Sequence, residues 1–133
     1  MGQSYFKYDT QSSQNGVTFL FGSFTPANGA SPTASTIRGN CVSTVVRDAE
    51  GVWTVTLKER FRGACNLVYA SAAYQNSTPD AGAIVLGAID LSAGTVVLSG
   101  WLAHVADDLA ANTPTIRFML AVQSAQTKDG GGY

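Results

Sequence analysis

Alternation of apolar and polar residues with a period of two constrains this chain more than any other feature. It is clearest from Cys41 to Lys58. Val42-Ser43-Thr44-Val45-Val46-Arg47 is rich in β-branched residues, and Asp48-Ala49-Glu50-Gly51 follows as a turn with Gly51 available for positive φ. In Val52-Trp53-Thr54-Val55-Thr56-Leu57-Lys58, the side chains of Trp53, Val55 and Leu57 fall on one face, and those of Thr54, Thr56 and Lys58 on the other. Such a unit is an antiparallel hairpin with one buried face.

The same period predicts strands over Val17–Phe24, Leu67–Tyr74, Ile84–Leu91, Thr95–Leu102 and Thr115–Val122. In the last, Ile116, Phe118, Leu120 and Val122 point inward, with Arg117 on the other side. Ser92-Ala93-Gly94 joins two of these strands as a second hairpin, and Tyr5-Phe6-Lys7-Tyr8 adds a short terminal strand. About eight short strands predict an all-β fold, an antiparallel β-sandwich or jelly roll. Glu59–Gly63 and His104–Ala111 are expected to form single helical turns, and Trp101 is expected in the core.

The 133 residues make one domain, 1–133. Residues 9–16 are polar and read as a loop or arm, and residues 128–133, with three consecutive glycines, read as a flexible tail. Pro26 to Asn40 carries turn signals at Pro26, Asn28-Gly29, Pro32 and Gly39. It reads as a binding loop or as a loop covering a sheet edge.

Charge narrows the function. Eight basic and nine acidic residues leave a net charge of −1, and charged residues are only 13% of the chain. Disorder driven by net charge is excluded, and a nucleic-acid partner is not expected without clustered Lys and Arg. No apolar run reaches the ~18 residues a membrane helix needs, and the start carries no run of signal-peptide length, so a cytosolic origin with no membrane partner is expected.

Residues for chemistry are sparse. His104 is the only histidine, and Asp107-Asp108 the only adjacent acidic pair. The pair reads as loop charge, with a cation such as Ca²⁺ as the minor alternative. Cys41 and Cys65 have no histidine in metal-ligand register and read as small buried hydrophobes, a disulfide being the minor alternative. Asn76-Ser77-Thr78 matches a glycosylation sequon and reads as a polar loop. The charges from Arg47 to Arg62 read as a solvated face or a partner's contact. Tyr69 and Tyr74 have opposite parity, so they form no stacking platform for a sugar. No catalytic residue, metal or cofactor is assigned.

Gly39-Asn40-Cys41-Val42-Ser43-Thr44-Val45-Val46-Arg47, then Gly51-Val52-Trp53-Thr54-Val55-Thr56-Leu57-Lys58-Glu59-Arg60-Phe61, resembles small virion proteins of tailed bacteriophages. Those proteins have a loop of small residues and Pro, a strand of the form GxxVxSVxR, a Gly turn and a strand of the form vyTVTLkdxf. The resemblance implies a non-enzymatic virion component made in the bacterial cytoplasm. It would be a capsid decoration (cement) protein on the major capsid protein, or alternatively a head or tail fibre, receptor- or carbohydrate-binding module.

Self-association is expected on separate grounds. Phe19, Leu20, Phe21 and Phe24 on one strand, and Ile84, Val85, Leu86 and Ile89 on another, are apolar at both parities, more than one core covers. A homotrimer is expected, the number three resting on the resemblance. The expected contacts are Tyr5, Phe6 and Tyr8, the Pro26–Asn40 loop with Pro26, Pro32 and Arg38, and the corner at Arg60 and Arg62.

Overall fold

A computed structural model describes residues 17–60, 65–77, 81–111 and 113–124. Nine strands run through them: β1 (Val17–Phe24), β2 (Arg38–Gly39), β3 (Val42–Ala49), β4 (Val52–Leu57), β5 (Cys65–Gln75), β6 (Gly82–Asp90), β7 (Thr95–Leu102), β8 (Val105–Ala106) and β9 (Thr115–Ser124). One 3₁₀ turn spans Ala34–Thr36. The strands form two antiparallel sheets, in the orders β2-β1-β9-β5 and β3-β4-β7-β6, with β8 beside β7. This is the all-β sandwich that the alternation predicts.

Each sheet faces the other with the parity read from sequence. Trp53, Val55 and Leu57 on β4 meet Leu20 and Phe24 on β1 and Ile116, Phe118, Leu120 and Val122 on β9 in one buried cluster, with Val96 and Leu98 from β7. Trp53 is wholly buried, and its ring lies 5.8 Å from that of Phe24, tilted by 58°. Burying side chains of this size contributes roughly 1.5–3 kcal/mol each, so the core rests on these few residues. Gly100 makes room for Trp53: a Cβ there would stand 2.8 Å from its ring.

Both hairpin turns form. Gly51 closes β3–β4 at φ +73°, and β3 runs on to Ala49 through a bulge at Asp48. In the β6–β7 turn the Asp90 carboxylate accepts from the Ala93 amide at 3.0 Å and the Ser92 hydroxyl at 2.9 Å, while Gly94 takes φ +74°.

Three sequence expectations are corrected. No helical turn forms over His104–Ala111. Ala103 and His104 adopt positive φ and turn the chain back, so that Val105 pairs with Leu102, and the Asp108 carboxylate is drawn into the fold by partners on other segments. Glu59 and Arg60 are not helical, and the rest of that expected turn lies outside the described residues. Trp101 is not core: it faces outward beside Ala83 and is 40% exposed. The Tyr5–Tyr8 strand, the 9–16 arm and the 128–133 tail lie outside the described residues. No helix among those described is long and apolar enough to cross a membrane.

Candidate interaction face

The four-stranded sheet has one face in the core and one turned outward. Strand register fixes what the outer face carries. Phe19, Ala121 and Tyr69 form one row across β1, β9 and β5, followed by Phe21, Met119 and Ser71, then by Ser23, Arg117 and Ala73. Phe19, Phe21 and Tyr69 are exposed, although their neighbours Leu20 and Phe24 are sealed in the core. The double apolar parity of β1 therefore has two destinations, the core and this outer face.

The face is concave at one end. A groove of about 380 Å³ is lined by Phe21, Met119, Ser71, Ala73, Arg38 and Arg117. Small residues on β5 leave the depression, because Ser71 and Ala73 stand where larger side chains would fill it. Two guanidinium groups rim it. Arg38 donates to the carbonyl oxygens of Ser35 and Ile37, and Arg117 donates to Gln75 Oε1. A strip of neutral apolar surface ending in two restrained cations suits an apolar side chain beside a carboxylate.

The edge of this sheet is completed by one side chain. β2 pairs only with Gly22 and Ser23; beyond them the Asn40 amide donates to the Phe21 carbonyl at 3.2 Å, and no other described strand lies on this side of β1. The Asn40 side-chain amide takes over the ladder: its Oδ1 accepts from the Phe21 amide at 3.0 Å, and its Nδ2 donates to the Phe19 carbonyl at 2.9 Å. Asn40 thus extends the sheet without a strand and holds Phe19 and Phe21 at their outward angle.

Behind the hairpin lies a buried polar cluster around Asp108. Asp108 is 4% exposed and accepts from Arg47 Nε at 2.9 Å, the Gly51 amide at 2.8 Å and the Gly29 amide at 2.9 Å. Burial pushes its carboxyl pKa up, but the hydrogen bonds from Arg47, Gly51 and Gly29 outweigh that and hold it below the ordinary value. One carboxylate therefore ties the loop after β1, the β3–β4 turn and the segment after β8 together. Arg47 belongs to this cluster and not to a solvated face. Asp107 is used locally, its Oδ1 accepting from the Leu109 amide.

The contact residues expected from sequence are dispersed. Arg38 is exposed and rims the groove, whereas Arg60 is exposed beside the Gly94 turn of the other sheet. Pro26 and Pro32 are buried, so they shape their loop and present no surface. Tyr5, Phe6, Tyr8 and Arg62 lie outside the described residues. Cys41 is a buried free thiol. Asn76 Nδ2 donates to the Tyr74 hydroxyl and the Ala111 carbonyl. Sequence reading missed Met119, Ser71 and Arg117 as one site because cross-strand register, and not spacing along the chain, brings them together.

No protein-family model matches this chain, no curated protein is significantly similar to it, and no solved structure matches it.

Proposed function

We propose that this chain is a non-enzymatic structural protein of a tailed-phage virion, a capsid decoration protein that docks on the head, reinforces it and acts as a trimer. The observation that carries the reading is the outer face of the four-stranded sheet, with Phe19, Phe21 and Met119 exposed or half-buried beside the restrained Arg38 and Arg117. An apolar face of this kind on a small domain marks a docking surface. The resemblance of Pro26–Phe61 to small phage virion proteins supplies the partner, the major capsid protein.

The mechanism is mechanical. Phe21 and Met119 bury against the capsid subunit, Arg38 and Arg117 pair with its carboxylates, and bound copies link neighbouring subunits. The test uses heads prepared without this protein. Wild-type chain is expected to cosediment with them and raise the temperature at which they release DNA. Phe21→Lys, at a position 46% exposed, is expected to keep the fold and lose binding. Unimpaired binding of Phe21→Lys would remove this face from the account.

A further inference from the structure

We propose that the groove on the outer face of the four-stranded sheet reads a short linear motif, an extended peptide segment with Asp or Glu at one position and a large aliphatic residue two positions away. This inference rests on the docking face in the reading above and names the chemistry that the partner brings to it.

Register builds the charged half of the site. Ser23 on β1 pairs with Arg38 of β2 on one side and with Arg117 of β9 on the other. Partners across antiparallel strands share a face, so the two guanidinium side chains and the Ser23 hydroxyl stand in one row. The two arginine backbones are two strand spacings apart, about 10 Å. Both arginines are exposed. A guanidinium carries N–H groups on three nitrogens, and the bonds to Ser35, Ile37 and Gln75 engage Nη1 alone. Arg47 has its carboxylate in Asp108, but among the described residues neither groove arginine has one. Each therefore keeps Nε–H and Nη2–H for a ligand, the edge that a carboxylate meets with two parallel hydrogen bonds.

The apolar half lies one step along the strands. Phe21, Met119 and Ser71 form the next row on the same face. Alternate residues of a strand are about 6.6–6.8 Å apart, and the same step separates alternate side chains of any extended peptide. A peptide lying along β1 and β9 therefore sets a carboxylate over the Arg38–Arg117 row and, two residues away, an aliphatic side chain over Phe21 and Met119. The groove there holds about 380 Å³. That is at the lower end of the ~300–1,000 Å³ of ligand pockets, a size for a short segment. A spacing of one residue would turn the second side chain away from the face.

Recognition runs through side chains because the β1 edge beside this groove is taken. The Asn40 side chain already holds the Phe21 amide and the Phe19 carbonyl, so a partner strand gains no backbone ladder there.

Titration of the full chain, followed by the NMR signals of its amides, tests the motif with three end-capped peptides. The first carries Leu-Thr-Glu-Thr-Leu, which has the right spacing in both chain directions. The second has Gln for Glu, and the third, Thr-Leu-Glu-Leu-Thr, has the wrong spacing. The first is expected to bind roughly ten-fold more tightly than either control, the scale of one charge-assisted contact, and to shift amides in 21–23, 71–73 and 117–119. The double variant Arg38→Gln/Arg117→Gln is expected to keep the fold, checked by circular dichroism, and to lose the preference for Glu over Gln. Inorganic phosphate is expected to displace the first peptide only in large excess.

Equal affinity for the three peptides, binding of none, shifts confined to other residues, or displacement by phosphate at matched concentration overturns the proposal. The peptide series on wild type decides this even if the double variant does not fold. Heads that bind wild type and release Phe21→Lys, with no preference among the peptides, overturn the motif alone. The expected peptide preference in a protein that does not bind heads overturns the capsid reading alone.

Discussion

Arg47 Nε lies 2.9 Å from Asp108 Oδ1 and 3.1 Å from Oδ2, joining β3 to a segment 61 residues later. The same carboxylate accepts from two backbone amides, at Gly29 and Gly51. Asp108→Ala leaves these donors without their acceptor. A cost of about 2–3 kcal/mol is expected, given ~1–3 kcal/mol for each buried donor left unsatisfied and partial rescue by water. Urea unfolding at pH 7 measures it, with an unchanged slope showing that the fold is kept.

The pH dependence has a definite sign. The folded pKa of Asp108 is held below its unfolded value of about 3.9. Its contribution is therefore fully present above that unfolded value and is lost as pH falls through the lower folded one. Asp90, lowered by the hydrogen bonds from the Ala93 amide and the Ser92 hydroxyl, acts with the same sign. Thermal stability is expected to be flat from neutral pH down to about 5 as far as these two groups decide it, then to fall with acid. Asp108→Asn should flatten that fall, which melting curves at stepped pH will show.

Gly100→Ala is expected to be among the worst single-methyl additions. The new Cβ would stand 2.8 Å from each of the Asp107 carbonyl oxygen, Leu109 Cδ1 and the Trp53 ring. None of these is the free end of a flexible surface chain, so overpacking of about 1–3 kcal/mol or more is expected. Gly29→Ala, with nothing within 4 Å of its Cβ, meets only the penalty of φ +72° and should cost less. Chemical denaturation of the two variants side by side gives the ranking.

The two tryptophans divide cleanly. Trp53 is fully buried, and its Nε1 has no hydrogen-bond partner among the described residues, whereas Trp101 is 40% exposed. Trp101→Phe is expected to shift the fluorescence maximum to the blue and abolish most acrylamide quenching, leaving stability nearly unchanged. A red-shifted, readily quenched spectrum from that variant would contradict the placement of Trp53.

Much of the fold was legible because alternation reports burial directly. Trp53, Val55 and Leu57, and the inward set of β9, were read correctly from parity. Parity says which residues share a face, but not which strand lies alongside. Hence the pairing of β1 with β9, nearly the whole described chain apart, was not readable, and with it the row Phe21–Met119–Ser71. The helical turn over His104–Ala111 was misread for a related reason. Its apolar spacing was helical, but Asp108 is fixed by Arg47, Gly51 and Gly29, which are distant in sequence. Trp101 was misplaced because its apolar neighbours suggested the core, whereas on β7 it has the outward parity of Val97 and Ser99, opposite to the buried Val96 and Leu98.

Mass spectrometry of purified virions, with heads and tails separated and each protein counted, bears most directly on the proposed role. Decoration of the capsid predicts this chain in the head fraction, at a copy number comparable to that of the major capsid protein. Its presence only with tails, at a few copies per particle, would contradict that role and favour a fibre, and its absence from both fractions would contradict a virion role altogether.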